Sequence, residues 1–427
     1  MLKNNLPSNW VITKLKAVVA YKKGKKPKIL KENEFENSVP YLDVRAFEKG
    51  EIRRFADIKS SNLITKNDVG ILWDGARSGW STKGKNGAVG STIAILTPLK
   101  INSTFLYLFL QSKYNFLNSN TRGTGIPHVD PQILWGLGLP LPPRPEQERI
   151  VAKVDRLMAQ VKIMQKSLER IPQLLKDFKQ QVLTQAVTGK LTEEWREGKH
   201  FDDWKVELAK NCCEKVQSGG TPKGSNFAES GIPFFKVYNI VNQKISFDYK
   251  PQFVSEEIQN SQCKKSICFP NDVLMNIVGP PLNKVAIVPK EFPECNINQA
   301  ITLFRVKEYL NSKYLYYFLC EGSSVNKLVN ETRGVVGQIN ISLTQCRSFE
   351  ISIPSKEEQQ EIVHRVESLF AQADIIEEKY KCLKAKIDNL PQAILHKAFK
   401  GELVEQLPTD GNARELLKEI EGLKKVK

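Results

Sequence analysis

Two stretches of the sequence decide the fold: "LPLPPRPEQERI" at residues 139–150 and "ISIPSKEEQQEI" at residues 351–362. They open two longer segments, 139–191 and 351–403, which align at a constant offset of 212 without a gap. The matched positions include a proline, a Glu-Gln pair and a regular series of apolar residues. Self-similarity at a fixed offset is the signature of an internal repeat, so the chain contains the same module twice.

Each repeated segment predicts a long helix with a defined start and end. Pro145 suits the first helical position, and Ser355 with Glu358 has the pattern of a capping box. Gly189 and Gly401 are expected stops, because glycine readily takes the left-handed conformation that closes many helices. A helix of this extent reaches on the order of 60 Å.

Within each helix the apolar residues recur at alternating steps of four and three, which is the spacing of a coiled-coil seam. The economical partner of each helix is the other copy, so we expect an antiparallel intramolecular coiled coil. Pro172 and Pro391 lie inside the helices at non-equivalent positions, and each should kink or interrupt its helix locally. The expected seam comprises Ile150, Val154, Leu157, Val161, Met164, Leu168, Ile171, Leu175, Phe178, Val182, Ile362, Val366, Leu369, Ala373, Ile376, Tyr380, Leu383, Ile387, Leu390 and Ile394.

The segments that precede the helices resemble each other more loosely. Trp10 matches Trp204, and Asn-Asp-Val recurs at 67–69 and 271–273. Short β-branched and aromatic runs between Gly/Pro/Asn loops read as strands, with a short helix at 104–111 and at 313–320. We therefore expect a duplicated, pseudo-two-fold fold of mixed α/β (α+β) class. Its parts are a globular domain at 1–142, a helical repeat at 143–198, a second globular domain at 199–354, and a distal helical repeat with a tail helix at 355–427.

The net charge of +16 is concentrated near the start of the chain. Residues 1–138 contain 21 Lys and Arg against 10 Asp and Glu, whereas residues 192–350 contain 19 against 18. A basic surface attracts nucleic acid, although charge alone fits an ordinary solvated surface about as well. With no apolar run long enough to span a membrane and no leader pattern, we expect a soluble, cytoplasmic protein.

The order of domain, long helix, domain, long helix resembles the specificity subunit of type I restriction-modification systems over the whole chain. The Pro-x-x-x-Glu-Gln entries, the exits "AVTGKLTEEWRE" (186–197) and "AFKGELVEQL" (398–407), and the tail "NARELLKEI" (412–420) carry the resemblance. It implies a non-catalytic subunit in which each domain reads one half of a split, asymmetric site on double-stranded DNA. It also implies docking of two methyltransferase subunits, joined by restriction subunits. S-adenosylmethionine, ATP and Mg²⁺ are implied for those partners alone, and no cofactor for this chain.

Base-edge readout requires residues such as Arg, Lys, Asn and Gln, while phosphate contacts position the domain. The candidate DNA-contacting residues are chosen by residue type in Gly-rich or polar loops. For each of them the alternative is an ordinary exposed side chain with no DNA contact. In the first domain they are Lys22, Lys23, Lys25, Lys26, Arg77, Lys83, Lys85 and Arg122, with the four clustered lysines expected on phosphates. In the second domain they are Lys223, Asn283, Lys284, Arg333, Gln338 and Asn340.

Catalytic and metal motifs are weak by comparison. "VGPPL" (278–282) lacks the amide and aromatic residues of an adenine methyltransferase, and "GWSTKGKN" (79–86) ends in Asn86 where a P-loop needs Ser or Thr. All eight cysteines lie in the second half, and Cys263 with Cys268 lacks a second ligand pair, so we expect no metal. A coiled-coil interaction protein and a cryptic DNA-modifying enzyme remain the alternative functions.

Overall fold

The computed structural model describes residues 6–123, 125–198, 203–223, 227–331 and 340–425. The chain divides into two compact units, of which the first combines two distant parts of the sequence and the second is one continuous stretch. The first unit combines Met1–Glu169 with Cys382–Lys427, and the second is Arg170–Lys381. Each unit therefore contains the strand-rich segment that precedes one long helix, and about half of the residues in the long helices. We call residues 6–143 and 203–355 the recognition segments of the first and second unit.

The recognition segment of the first unit is made of short strands and four helices. The strands are β1 (Val11–Lys14), β2 (Val19–Lys23), β3 (Leu30–Lys31), β4 (Ser38–Pro40), β5 (Phe55–Asp57), β6 (Asn62–Ile64), β7 (Val69–Leu72), β8 (Ser81–Lys83), β9 (Gly87–Val89), β10 (Ile93–Pro98), β11 (Thr121–Arg122), β12 (His128–Val129) and β13 (Gly138–Leu141). The helices are α1 (Leu15–Val18), α2 (Val44–Lys49), α3 (Ser103–Ser119) and α4 (Pro131–Gly136).

A four-stranded antiparallel sheet in the order β2-β10-β7-β8 forms the centre of this segment. Every residue of β7 is buried, as is the first half of β10, which explains their continuous apolar sequence. Helix α3 packs on the sheet, and its start is fixed by Asn102, whose side chain accepts hydrogen bonds from the Thr104 and Phe105 amides. Strands β1 and β13 pair along their length and join the two ends of the segment.

The first long helical segment is interrupted near its middle. Helix α5 (Arg144–Leu168) ends at a two-residue turn, α6 (Ile171–Val187) follows, and α7 (Glu193–Arg196) forms the exit. Pro172 lies in the first turn of α6, where backbone N–H groups have no acceptor within the helix. The absence of an N–H on proline therefore costs the helix no hydrogen bond. The expected interruption at Pro172 is thus present. Gly189 has a φ of 77° and ends the segment as predicted.

The recognition segment of the second unit repeats this design. Its strands are β14 (Lys205–Leu208), β15 (Cys213–Ser218), β16 (Ile232–Phe235), β17 (Ile240–Val241), β18 (Lys244–Ile245), β19 (Phe253–Val254), β20 (Val273–Asn276), β21 (Val285–Ile287), β22 (Asn296–Ile297), β23 (Ile301–Val306) and β24 (Glu350–Ile353). Its helices are α8 (Ala209–Cys212), α9 (Glu256–Asn260), α10 (Ser312–Glu321), α11 (Ser323–Glu331) and α12 (Leu343–Arg347). The sheet order β15-β23-β20-β21 and the pair β14-β24 reproduce the topology of the first unit.

The second long helix is continuous. Helix α13 spans Lys356–Lys400, and the tail helix α14 spans Ala413–Lys425. Pro391 lies inside α13 without ending it, so the expected interruption is absent there, in contrast to Pro172. Gly401, with a φ of 77°, follows the last turn. No helix in the described part of the chain is long and apolar enough to cross a membrane.

Within each unit the long helices run antiparallel, as predicted. In the first unit the Gln165 amide donates to Asp388 at 3.1 Å, and in the second unit Lys179 lies 2.7 Å from Asp374. The seam, however, is not buried along its whole length. Its exposed members are Met164, Phe178, Ile376 and Leu383. Pairing of two helices buries only one side of the apolar stripe on each helix. Other seam residues are buried by α3 in the first unit and by α10 in the second.

The repeated Glu-Gln pair explains how each recognition segment is attached to its helix. Gln147 accepts from the Asn102 amide at 2.9 Å, and Gln359 accepts from the Asn311 amide at 2.6 Å. Each glutamine therefore ties the start of a long helix to the residue that caps α3 or α10. The capping box expected at Ser355 is only half formed, because Ser355 accepts the amide of Glu358 while the Glu358 carboxylate binds elsewhere.

Candidate nucleic-acid interface

Two loops occupy equivalent positions in the repeated sheets. The β7–β8 loop (residues 73–80) and the β20–β21 loop (residues 277–284) each join the last two strands of the four-stranded sheet. Each is held by one β-bridge to a residue from a later part of the segment, Asp74 to His128 and Val278 to Asn340. The duplication therefore produces the same loop framework with different side chains.

In the first unit several predicted DNA-binding residues meet at this loop. Lys22 and Lys23 lie on the edge strand β2, and both are exposed. Lys23 Nζ lies 3.6 Å from an Asp74 carboxylate oxygen, and Nδ1 of His128 lies 2.6 Å from the other. Arg122 pairs with His128 across the β11–β12 ladder. Residues separated by about a hundred positions in the sequence thus form one polar surface.

An aromatic layer supports this surface. The Tyr21 ring contacts Trp73 and Trp135, with centroids 5.4 and 5.0 Å away, and Lys23 Nζ lies 5.7 Å from the Trp73 ring centre. Burial, followed by the nearby Asp74 charge, raises the pKa of Tyr21, so its hydroxyl stays neutral. Packing against these rings restricts the positions that Lys23 and Asp74 can take.

Three other basic candidates of the first unit, Arg77, Lys83 and Lys85, contact groups within the protein. Arg77 pairs with Glu48 and lies over the Trp80 ring, and this hydrogen bond lowers the pKa of Glu48. Lys85 donates to the carbonyl oxygens of Ala46 and Phe47 near the end of α2. The ammonium of Lys85 therefore already serves as a helix cap. Two further candidates, Lys25 and Lys26, are exposed beyond β2, and Lys83 lies over the ring of Tyr107.

In the second unit, Asn283 and Lys284 line a groove of about 370 Å³ together with four residues of the β17–β18 hairpin, Ile240, Val241, Asn242 and Gln243. Lys284 Nζ donates to the Val237 carbonyl at 3.2 Å. Asn283 has a φ of 63°, and its side-chain oxygen is buried without a hydrogen-bond partner. The predicted pair therefore lies at a concave part of the surface, lined by both apolar and amide side chains.

Gln243 fixes the shape of this groove. Its side chain donates to the Asn283 carbonyl at 2.9 Å and accepts from the Val285 amide at 2.7 Å. Asn242 and Gln243 both have positive φ, as the turn of a two-residue hairpin requires. Glycine is the usual residue for the second position of such a turn, so the two side-chain bonds account for a glutamine there.

The remaining candidates of the second unit are dispersed. Asn340 is exposed and bridges to the β20–β21 loop at Val278. Lys223 is exposed, and its backbone amide donates to Gln262 rather than to a residue of that loop. Arg333 and Gln338 lie outside the described residues.

Residue type alone did not single out Asp74, His128 or Gln243. Asp74 follows a buried strand in the stretch "WDGARSGW" (73–80), which is typical of a loop that presents polar side chains. A carboxylate is an unusual choice beside a polyanion, so a search for basic and amide residues passes over it. His128 is linked to Asp74 only through the fold, because 54 positions separate them.

The weaker chemical motifs have structural roles. Residues 81–83 of the P-loop-like stretch form strand β8, and a Cβ on Gly84 would lie 2.0 Å from the Thr65 carbonyl oxygen. Close backbone packing therefore accounts for the glycine at position 84. The eight cysteines are free thiols, and burial raises the pKa of Cys268 well above its usual value. The described residues contain no group of three or more His, Cys, Asp or Glu placed to hold a metal ion.

The family model for the type I restriction modification DNA specificity domain matches residues 7–173 and again 202–385. The two matches cover most of the chain and follow its internal repeat. The chain belongs to this family of DNA specificity proteins. Members of the family provide sequence recognition and are not the catalytic components of their complexes.

Curated relatives and solved structures agree with this assignment. The chain is 33% identical to the EcoBI specificity subunit of Escherichia coli over 324 residues, covering 72% of this chain and 67% of that protein. It is 28% identical to the MjaVIII specificity subunit of Methanocaldococcus jannaschii, and this match covers 93% of this chain and 94% of that protein. The fold is similar to that of the HsdS subunit from Thermoanaerobacter tengcongensis, with a TM-score of 0.63, 20% identity, and coverage of 94% and 99%. The fold is also similar to a chain in a structure on the complex assembly and conformational transition of the type I R-M system. The TM-score is 0.66 at 21% identity, and the match covers 94% of this chain and 100% of that chain.

Proposed function

We propose that this specificity chain reads a bipartite, asymmetric DNA target, with one half-site read by each unit. The supporting observation is the repeated loop framework of the β7–β8 and β20–β21 loops. Its side chains are acidic, basic and imidazole groups around Asp74 in the first unit and mostly amide or apolar groups around Asn283 in the second. Because base readout depends on the donors and acceptors presented to the groove, two differently equipped loops select two different half-sites.

The long helices are proposed to hold two methyltransferase subunits, with restriction subunits joining that assembly. Exposed apolar side chains on these helices, including the adjacent pairs Ile163–Met164 and Ile375–Ile376, support a docking role, since contiguous exposed apolar patches mark protein contacts. In the first unit they are Ile163, Met164 and Leu383, and in the second Leu174, Phe178, Ile375 and Ile376. S-adenosylmethionine, ATP and Mg²⁺ are assigned in this proposal to the partner subunits, not to this chain.

The decisive experiment maps methylated adenines in the source genome with and without this gene. A split sequence motif should be methylated in the parent strain and unmethylated in the deletion strain, and the plasmid-borne gene should restore it. The reconstituted complex should also bind its target with an affinity that falls steeply as salt rises, since each phosphate contact releases counterions. Loss of an unsplit motif, or no change in methylation, would contradict the proposal.

A further inference from the structure

The β7–β8 loop of the first unit contains one acidic side chain, Asp74, which lies beside Lys23 of the exposed edge strand β2. We propose that Asp74 determines specificity in the first half-site, its carboxylate accepting a hydrogen bond from an exocyclic amino group of a DNA base. The amino group is N4 of cytosine or N6 of adenine, which present the same donor in the major groove. The inference rests on the proposed function and assigns a chemical role within it.

Asp74 is held in a fixed position but is still accessible. Its side chain is 18% exposed, with His128 Nδ1 2.6 Å from one oxygen and Lys23 Nζ 3.6 Å from the other. The backbone is also fixed, because Gly75 donates to the Pro127 carbonyl at 2.8 Å and Val129 donates to the Trp73 carbonyl at 2.9 Å. A carboxylate has about four acceptor positions, so these two neighbours leave capacity for a base.

The charge of Asp74 opposes binding to phosphate, which argues for a role in discrimination. Lys22, Lys25 and Lys26 are exposed nearby and would position the domain without any acid. A carboxylate accepts hydrogen bonds but donates none when ionised. It therefore favours an amino group and repels the O6 and N7 acceptors of guanine and the O4 of thymine. Lys23 offsets part of this charge, and Lys23 and His128 together orient the carboxylate.

The equivalent position in the second unit supports a specificity role over a purely structural one. Val278 stands where the first unit has Asp74, and its bridge partner is Asn340 rather than a histidine. The loop framework thus forms without a carboxylate. Asp74 is consequently not required for the bridge itself, and its chemistry is free to serve the target.

The test uses the full complex with its methyltransferase subunits and a duplex library randomised in both half-sites. Asp74→Asn should reduce discrimination at one base pair of the first half-site by about ten-fold or more, the range of a single good base contact. The second half-site, read from the same library, is the internal control, and Asp155→Asn, at an exposed position of α5, is the matched variant. Asp74→Glu, which keeps the charge, should retain the preferred base with weaker binding.

A base analogue then identifies the hydrogen-bond donor. Replacing adenine by purine, or cytosine by pyrimidin-2-one, at the affected position removes the amino group alone. The wild-type complex should bind one of these duplexes about ten-fold more weakly, and Asp74→Ala should bind the modified and unmodified duplexes equally. Uniform weakening of the first half-site with unchanged base preference would show a structural role and overturn the inference. Absence of sequence preference in the wild-type complex would overturn the proposed function and the inference together.

Discussion

Glu146 and Glu358 begin the two long helices and are fully buried, yet each carboxylate is satisfied by side-chain donors. Glu146 accepts from the Trp10 indole at 2.9 Å and from the Gln406 amide at 3.0 Å. Glu358 accepts from the Trp204 indole at 3.0 Å and from Arg196 at 2.7 Å. Buried carboxylates are retained only when fully hydrogen-bonded. The matching tryptophans in the sequence therefore mark the places where each recognition segment is fastened to a helix.

Glu358→Ala should destabilise the second unit by about 3 kcal/mol, because it leaves the indole of Trp204 and the guanidinium of Arg196 without their acceptor. Chemical unfolding followed by hydrogen exchange in residues 203–331 measures this change. Glu357→Ala, at the exposed neighbouring position, is the control and should alter stability by less than about 0.5 kcal/mol. Equal effects of the two substitutions would contradict the anchoring role of Glu358.

At the scale of elements, the helices combine what the sequence predicted with what it did not. The antiparallel pairing and the glycine stops followed from heptad spacing and residue type. The different effects of Pro172 and Pro391 did not, because proline is tolerated at a helix start while tolerance inside a helix depends on packing. Exposure of part of the seam also depended on tertiary structure, since α3 and α10 bury only part of each stripe.

In the recognition segments too, the sequence predicted some features and not others. Turn residues and apolar runs predicted two strands of each central sheet, β7 and β10 in the first unit and β21 and β23 in the second, and one helix at the position of α3 and of α10. The candidate interface could be predicted only as a set of basic and amide residues in loops. Its assembly required the pairing of Asp74 with His128 and of Gln243 with the β20–β21 loop. These are contacts between distant segments, and local sequence does not encode them.

The exposed apolar residues on the long helices predict where partner subunits bind. Leu174→Glu combined with Ile375→Glu places two charges in the second unit, at side chains that are 62% and 56% exposed. Because such exposed positions contribute little to folding, the chain should stay folded while the complex retains one methyltransferase subunit where the wild type has two. Measurement of complex mass after co-purification gives the stoichiometry.

Gln181→Glu is the matched control for docking, since it adds a negative charge at an exposed polar position of α6. It should leave the wild-type stoichiometry intact. Ile163→Glu, on α5, should reduce binding at the first unit instead. Full retention of both methyltransferase subunits by all three variants would show that the partners bind elsewhere on the chain.

At the scale of the molecule, the first unit is closed by contacts of residues 405–420 with Asn9 and with α5. Arg149 on α5 donates to Asp410 at 2.7 Å, and the Ala413 amide donates to the Asn9 carbonyl at 3.0 Å. Ile420 of α14 is fully buried. In the second unit the exit segment 186–198 contacts the start of α13, where Arg196 donates to Glu358 at 2.7 Å. The duplicated units are therefore closed by different segments of the sequence.

A chain ending at residue 404 should lose at least about 3 kcal/mol of stability in the first unit, since Arg149 loses its buried partner and α14 is removed. Hydrogen exchange resolved by segment should show faster exchange in residues 6–169, with residues 203–331 unchanged. In a complex with methyltransferase, discrimination in one half-site should fall while the other is kept. Equal loss of protection in both units would contradict the separate closure of the first.

Acid provides an independent check on the same contact in the full chain. The Arg149 hydrogen bond holds the pKa of Asp410 below its usual value of 3.8. A carboxyl with a lowered folded-state pKa stabilises fully at pH values above its unfolded pKa, and that contribution disappears as the pH falls through the folded-state value. Protease cleavage within 405–425 should therefore increase below about pH 3.8, and Asp410→Asn should show the increased cleavage already at neutral pH. Such cleavage at neutral pH in the wild-type chain would mean that the ion pair does not hold the tail.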